Sequence, residues 1–360
     1  MKSRRTKRLR RKRRFFFLIL LVLMATAFLA LKDNYRIESF LAKTSKVKIK
    51  SQEKNEEDEE FVEKKNAIYR SEIIQKIIDA QKKVVFRNNK GVKKLVLSEN
   101  DLYSKNICLM DADTGEILYS VKENEVVFPA SLTKMMTTIV AVESTDDYQI
   151  KYTISPELYN EMIIEDASMA GFKPGEIVNT RDLIYGTMLP SGGEAAVGLA
   201  EICSGSEKAH VDKMNEKVKE LGLRRTHFMN ASGLHDEKNY STAYEMAEIL
   251  RYGLKNEVFK EVIISNGYTS SKTVEHPDGI SWRYSLLAYM DQIDSEGFKV
   301  LGGKTGYTEQ AGLCLASTAV VNGKQYILVT LGALPLDANS KFHFMDAETI
   351  YRRIAESEIN

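Results

Sequence analysis

The apolar pattern changes character twice along the chain. Residues 15–31 (FFFLILLVLMATAFLAL) run for seventeen positions without a charge. A helix of about 17–25 apolar residues is what crosses a hydrocarbon layer. Residues 32–66 then lose any apolar period: 18 of the 35 are charged, and Glu56-Glu57-Asp58-Glu59-Glu60 is unbroken. Such a stretch cannot bury enough apolar surface to fold alone, so it reads as a solvated tether. Its reach is at most roughly 120 Å when fully extended. From residue 67 the period returns. Apolar residues at 68, 73, 74, 77 and 78 predict an amphipathic helix over 68–81, within a helix-and-connector segment 67–100.

The remaining body, 101–360, alternates between strand and helix patterns. Residues 107–112 and 116–121 flank Asp113-Thr114-Gly115, a hairpin signature. A helix is predicted from Ser131 to about Glu143, opening just after Pro129. Helical patterns follow over 181–202, 207–221 and 242–253. Thr242 followed three residues later by Glu245 reads as a capping box. Strand patterns return at 299–302, 311–321 and 326–332, and a helix over 341–356 closes the chain. Strands, a helical middle, then strands predict an α/β fold of the α+β type: one antiparallel sheet flanked by helices, with a helical subdomain. The two ends of the body must meet to complete that sheet, so 101–360 is expected to be one globular unit.

Charge sharpens the picture. The chain carries 51 Lys+Arg and 50 Asp+Glu in 360 residues. Ten of the basic residues lie in 1–14, which holds no acid; removing them leaves 41 basic and 50 acidic residues, a net of −9. An acidic body argues against nucleic acid as a partner. A basic tip joined to an apolar run is instead a topology signal. Residues 1–14 stay in the cytoplasm and everything after Leu31 is sent outside. The run suits a retained single-pass anchor in a bacterial cell membrane or a cleaved signal peptide, since Ala25-Thr26-Ala27 resembles a cleavage site. The long basic region and the continuation to Leu31 favour the anchor. Cys108, Cys203 and Cys314 are scattered, without CxxC spacing or a zinc-like cluster. Cys108 and Cys314 fall in apolar strand patterns, so buried thiols are favoured over a disulfide.

Three short segments carry candidate chemistry. Ser131-Leu132-Thr133-Lys134 places a hydroxyl and an amine on one face of a helix, because i and i+3 are neighbours there. Ser131 would sit in the first turn, where unpaired N–H groups favour developing negative charge. Lys134 can take the hydroxyl proton if burial or a nearby cation keeps it neutral. The spacing alone is weak, since Ser45/Lys48 and Ser51/Lys54 repeat it inside the tether. Lys304-Thr305-Gly306 offers a cation and a hydroxyl to a carboxylate from a strand, and its glycine lets a ligand backbone approach. Ser191 lies in a turn between two helical patterns. Taken singly, Lys304 reads better as a solvated lysine on a hairpin edge, and Ser191 as an ordinary helix cap.

Together, and in this order, the three match the pattern of penicillin-binding proteins and serine β-lactamases. The chain resembles the D-alanyl-D-alanine carboxypeptidases, the low-molecular-mass penicillin-binding proteins, from about Ile107 to its end. The resemblance is carried by LMDADTGEILYS (109–120), FPASLTKMMT (128–137), ASMAGFKPGE (167–176), DLIYGTMLPSGGEAA (182–196), THFMNASGLHDEKNYSTAYEMA (226–247) and GGKTGYTEQAGLCL (302–315). It does not reach residues 1–100.

The resemblance implies a β-lactamase/DD-peptidase-like fold and a serine peptidase outside the membrane, with no metal or cofactor. Ser131 would be the nucleophile, Lys134 its base, and Ser191 the relay to the leaving D-alanine. Lys304, Thr305, Gly306 and Tyr307 would bind substrate, with the N–H groups of Ser131 and Tyr307 as the oxyanion hole. The substrate would be a peptidoglycan stem peptide ending in D-Ala-D-Ala, and β-lactams would be inhibitors. Two positions depart from the family. Gly193 stands where a Ser-x-Asn motif usually has Asn. Lys341 stands where an Arg often helps hold the carboxylate, keeping the charge without the bidentate fork. Gly193 leaves open a non-catalytic or weakly active penicillin- or muropeptide-binding protein. A β-lactamase is disfavoured because no deacylating carboxylate is assigned, and the transpeptidase balance depends on the acceptor. His210, His227, His235, His276 and His343 are expected to be structural or surface residues.

Overall fold

A computed structural model describes residues 101–293, 296–337 and 339–357. The basic tip, the apolar run, the tether and the helix expected over 68–81 lie outside the described residues. Among the described residues, no helix is long and apolar enough to cross a membrane.

The hairpin forms as its sequence requires. Strands β1 (Asn106–Asp111) and β2 (Ile117–Val121) pair antiparallel, with Ile107 opposite Val121. All six residues of β1 are buried, which demands cover on both faces and a second neighbour. That neighbour comes from the far end of the chain. Strands β7 (Phe298–Thr308), β8 (Gly312–Val321) and β9 (Lys324–Ala333) form a meander, and β9 pairs with β1. The sheet order β2-β1-β9-β8-β7 therefore joins both ends of the body and leaves β7 on an edge.

Between β2 and β7 lies the helical part. It comprises α1 (Thr133–Ser144), α2 (Pro156–Ile164), α3 (Thr180–Met188), α4 (Gly193–Ser204), α5 (Glu207–Glu220), α6 (Ala243–Gly253), α7 (Glu257–Ile263) and α8 (Ser285–Met290). Two short ribbons accompany them: β3 (Lys151–Thr153) with β4 (Ile177–Asn179), and β5 (Gly267–Thr269) with β6 (Ser281–Arg283). Helix α9 (Phe342–Glu356) follows β9 and packs on the sheet. Asp346 on α9 accepts from the Ser104 N–H at 2.8 Å, fastening the chain entering β1. Helix α1 is buried at every position from Thr133 to Val142, as befits a helix inside the core rather than on it.

Several expectations need correction. The 181–202 pattern is two helices, α3 and α4, and the turn expected at Ser191 separates them at Leu189–Gly192, where Ser191 takes a left-handed φ of 65°. The strand expected over 299–302 continues to Thr308, so one strand, β7, carries Lys304-Thr305-Gly306 as expected but runs six residues further. The helix expected from Ser131 begins as a 3₁₀ turn over Ala130–Leu132, because Ala130 enters with φ 49°. The capping box is half formed. Thr242 Oγ1 accepts from the Glu245 N–H at 3.0 Å, but the Glu245 carboxylate turns to the N–H groups of Arg224 and Arg225. The ribbons and α2, α7 and α8 were not foreseen; they are three to nine residues long, too short for a period to show.

Candidate active site

Ser131 is held where three stretches of backbone converge. Gly306 on β7 faces the turn so closely that a Cβ there would lie 3.0 Å from the Ser131 nitrogen. Gly233 closes the other side: a Cβ there would lie 2.1 Å from the Ala130 carbonyl oxygen, an impossible contact. The two glycines let an edge strand and a loop touch the serine turn. Lys134 follows one helical turn later, and its Nζ donates to Ser131 Oγ at 3.1 Å. It also donates to the Ser232 carbonyl of the Gly233 loop.

Lys134 is buried, and burial lowers its amine from the ordinary lysine value to about 7, with Glu194 opposing that shift. A neutral amine keeps two N–H donors and gains a lone pair. The Ser232 carbonyl then takes one N–H while the lone pair is free to receive the Ser131 proton.

A second hydroxyl–amine pair stands beside the first. Lys304 is fully buried in β7, and its Nζ donates to Ser191 Oγ at 2.9 Å and to the Thr305 carbonyl at 2.7 Å. Burial, and after it the charge of Lys134, depress Lys304 well below the usual lysine range. Two amines sharing a dry site disfavour simultaneous protonation.

The Ser191 turn is gripped by the preceding loop. The Gly193 N–H donates to the Ser168 carbonyl at 2.7 Å, and the Gly171 N–H donates to Glu194 Oε1 at 2.9 Å. Trp282 on β6 ties the same loop down, its Nε1 donating to the Ala170 carbonyl at 2.7 Å.

In front lies a cavity of 860 Å³. Ser131, Ser191, Thr305, Gly306, Tyr307 and Lys341 all line it. Neither Lys134 nor Lys304 belongs to its wall, so both amines act from behind the hydroxyls. Lys341 is exposed at the N-cap of α9, with its Nζ 5.9 Å from the centre of the Phe344 ring, and lines the same cavity as Thr305. The arrangement offers a nucleophile with its base, a second hydroxyl–amine pair, and on the same wall an exposed lysine and the Thr305 hydroxyl for an anion.

Several residues around the site carry no sequence signal of their placement there. Ser232 contributes only a carbonyl, which leaves no side-chain signature. Glu194 carries the sequence signal of an ordinary first-turn acid of α4. Arg283 and His343 also line the cavity. His343 is buried, and burial together with Lys341 lowers it to about 4, so it is neutral at pH 7. The other histidines have structural partners or lie outside this wall; His210, for example, bonds Ser204 Oγ and the Thr137 carbonyl. All three cysteines are free thiols, with Cys108 and Cys314 buried.

Comparison with known proteins gives a consistent pattern. Residues 93–334 match the peptidase S11 family, described as D-alanyl-D-alanine carboxypeptidase. A D-alanyl-D-alanine carboxypeptidase of Bacillus subtilis, DacF, is 33% identical over 262 residues, covering 69% of this chain and 65% of the relative. The chain thus spans just under two thirds of that relative's length. The D-alanyl-D-alanine carboxypeptidase of Streptomyces sp. strain K15 is 32% identical over 243 residues, covering 64% of this chain and 80% of the relative. The crystal structure of the Streptomyces K15 DD-transpeptidase superposes with a TM-score of 0.62 at 28% identity, covering 71% of this chain and 97% of that one.

Proposed function

The chain belongs to the D-alanyl-D-alanine carboxypeptidase family, and we propose that it is a serine DD-carboxypeptidase trimming peptidoglycan stem peptides. The observation that carries this reading is the contact of Lys134 Nζ with Ser131 Oγ at 3.1 Å beside that of Lys304 Nζ with Ser191 Oγ at 2.9 Å.

Neutral Lys134 takes the Ser131 proton as Oγ attacks the carbonyl carbon of the penultimate D-alanine. The N–H groups of Ser131 and Tyr307 receive the developing oxyanion; one such donor is worth about 10²–10³ in turnover. The C–N bond then breaks as Ser191, held by Lys304, gives its hydroxyl proton to the departing amine and takes up the proton that Lys134 received from Ser131, which returns Lys134 to the neutral amine. Ser131 is left as an ester, which water hydrolyses with Lys134 again as base. Thr305 and Lys341 hold the terminal carboxylate from the cavity wall, with the Lys304 side chain behind them. β-Lactams acylate the same oxygen because they present a similar carbonyl and carboxylate. Residues 15–31 anchor the enzyme and residues 32–66 tether it outside the bacterial cell membrane.

Gly193 supports a second reading, a binding protein with little turnover, because it removes a side-chain amide from the site. D-Alanine release from a D-Ala-D-Ala peptide separates the two. Steady release that is lost in Ser131→Ala supports the enzyme; binding with no release from the folded wild type rejects it.

A further inference from the structure

His343 lies in the first turn of α9, is only 5% exposed, and still lines the cavity that holds Ser131. Its Nδ1 is buried without a hydrogen-bond partner. A buried N–H left unpaired is rarer in folded proteins than an under-used lone pair. That asymmetry makes Nδ1 the bare nitrogen and puts the proton of the neutral ring on Nε2. Nε2 is then the polar atom that the ring can offer the cavity, and it offers a donor.

The surroundings favour an anion as its acceptor. Helix α9 is fifteen residues long and opens with neither a side-chain cap nor an acid in its first turn. The N–H groups of such a turn have no partner within the helix and carry the positive end of its dipole. Lys341 and His343 flank one ring: the Lys341 Nζ lies 5.9 Å from the centre of Phe344, and the His343 ring centre lies 4.0 Å from it. The acids near this turn are otherwise engaged. Asp346, one turn further along α9, accepts from the N–H groups of Tyr103 and Ser104. Asp337, on the cavity wall, is exposed and accepts from the Asn339 N–H at 2.8 Å and from Ser340 Oγ at 3.2 Å. Lys341 brings a point charge, which by itself does not fix the plane of a carboxylate.

Resting on the reading above, we propose that His343 is a specificity-determining residue whose Nε2–H, with Lys341 and the Thr305 hydroxyl, holds the terminal carboxylate of the substrate. Burial, and after it Lys341, keeps the ring neutral at pH 7. It therefore adds a directed donor beside the lysine and not a second charge. Lysine and imidazole together present what a guanidinium presents alone, a charge and oriented donors.

The test reads His343 through the ¹⁵N resonances of histidine-labelled protein, assigned by their loss in His343→Gln. Without ligand the ring is expected to show the Nε2–H tautomer. The Ser131→Ala protein is then titrated with an acyl-D-Ala-D-Ala peptide and with the same peptide amidated at its C-terminus. The acid is expected to shift the Nε2 signal at concentrations at which the amide leaves it in place. With Ser131 present, the preference for acid over amide in kcat/KM is expected to narrow about tenfold or more in His343→Phe. The change should fall on KM, and His343→Gln, whose amide places a donor at similar reach, should regain part of it. An Nδ1–H tautomer, a shift of equal size with both peptides or with neither, or an unchanged preference in His343→Phe overturns the proposal. A wild type that releases no D-alanine while the acid still moves His343 counts against the functional reading alone.

Discussion

Lys304 Nζ donates to Ser191 Oγ at 2.9 Å, although 113 positions separate the two residues in sequence. The lysine of the Lys-Thr-Gly run is therefore turned toward a hydroxyl and away from the open cavity. On the proposed function its part is to govern the proton on Ser191. Lys304→Met, which preserves volume, is expected to slow acylation about 10²–10⁴-fold, the range for losing a positioned acid or base. Because the native amine is fully buried, the same variant is expected to melt no lower than wild type. Stopped-flow labelling and a thermal scan check both halves.

The acylation rate should carry an acid limb near the lowered Lys134 value of about 7. Below it the amine is protonated and cannot accept; above it the rate levels off. The stability consequence has the same direction. Between about 7 and the ordinary lysine value of 10.5, the unfolded chain binds a proton that the folded chain does not. The contribution of Lys134 is thus fully present above 10.5 and is lost as pH falls to about 7. Lys134→Met should remove that slope, which denaturant titrations across the range would register.

Gly193 is not an empty position. A Cβ there would lie 2.8 Å from Met162 Sδ and 3.0 Å from Ala167 Cβ. An Asn introduced alone must displace the end of Met162. Gly193→Asn is expected to gain little by itself. Paired with Met162→Ala it should speed D-alanine release about tenfold to a hundredfold, the worth of one charge-assisted hydrogen bond of about 1.5–3 kcal/mol. Equal rates in single and double variants would show that Met162 does not occupy the place of the amide.

Gly306 should be intolerant for a reason separate from folding. A Cβ there would lie 3.0 Å from the Ser131 nitrogen and 3.2 Å from Ala130 Cβ. Gly306→Ala is expected to push β7 off the serine turn and spoil the N–H pair meant for the oxyanion. Acylation should fall about 10²-fold or more with far-ultraviolet circular dichroism unchanged.

Much of this was readable from the chain, and the failures share a cause. The β1–β2 hairpin, α1 and the β8–β9 pair announce themselves because their periods run five residues or more against a single core. The junction of β1 with β9 followed from the logic of sheet completion. Ser131, Lys134, Ser191, Thr305 and Lys341 were all named beforehand, and all converge on or behind one cavity wall. The orientation of Lys304 toward Ser191 was not legible, since whether a strand lysine faces solvent or core depends on what packs over the edge of β7. Nor was the contribution of Ser232, which acts through its carbonyl, or the burial of Glu194, whose sequence signal is that of an ordinary first-turn acid. The short ribbons escaped because three residues are less than any period can reveal.

The central claim, that Ser131 is a nucleophile activated by Lys134, is most directly tested by mass spectrometry after brief exposure of the protein to benzylpenicillin at pH 8. The expected result is one penicilloyl adduct on the peptide containing Ser131, formed in wild type, slowed in Lys134→Met and absent in Ser131→Ala. A folded wild type that stays unmodified, or an adduct that persists in Ser131→Ala, would contradict it.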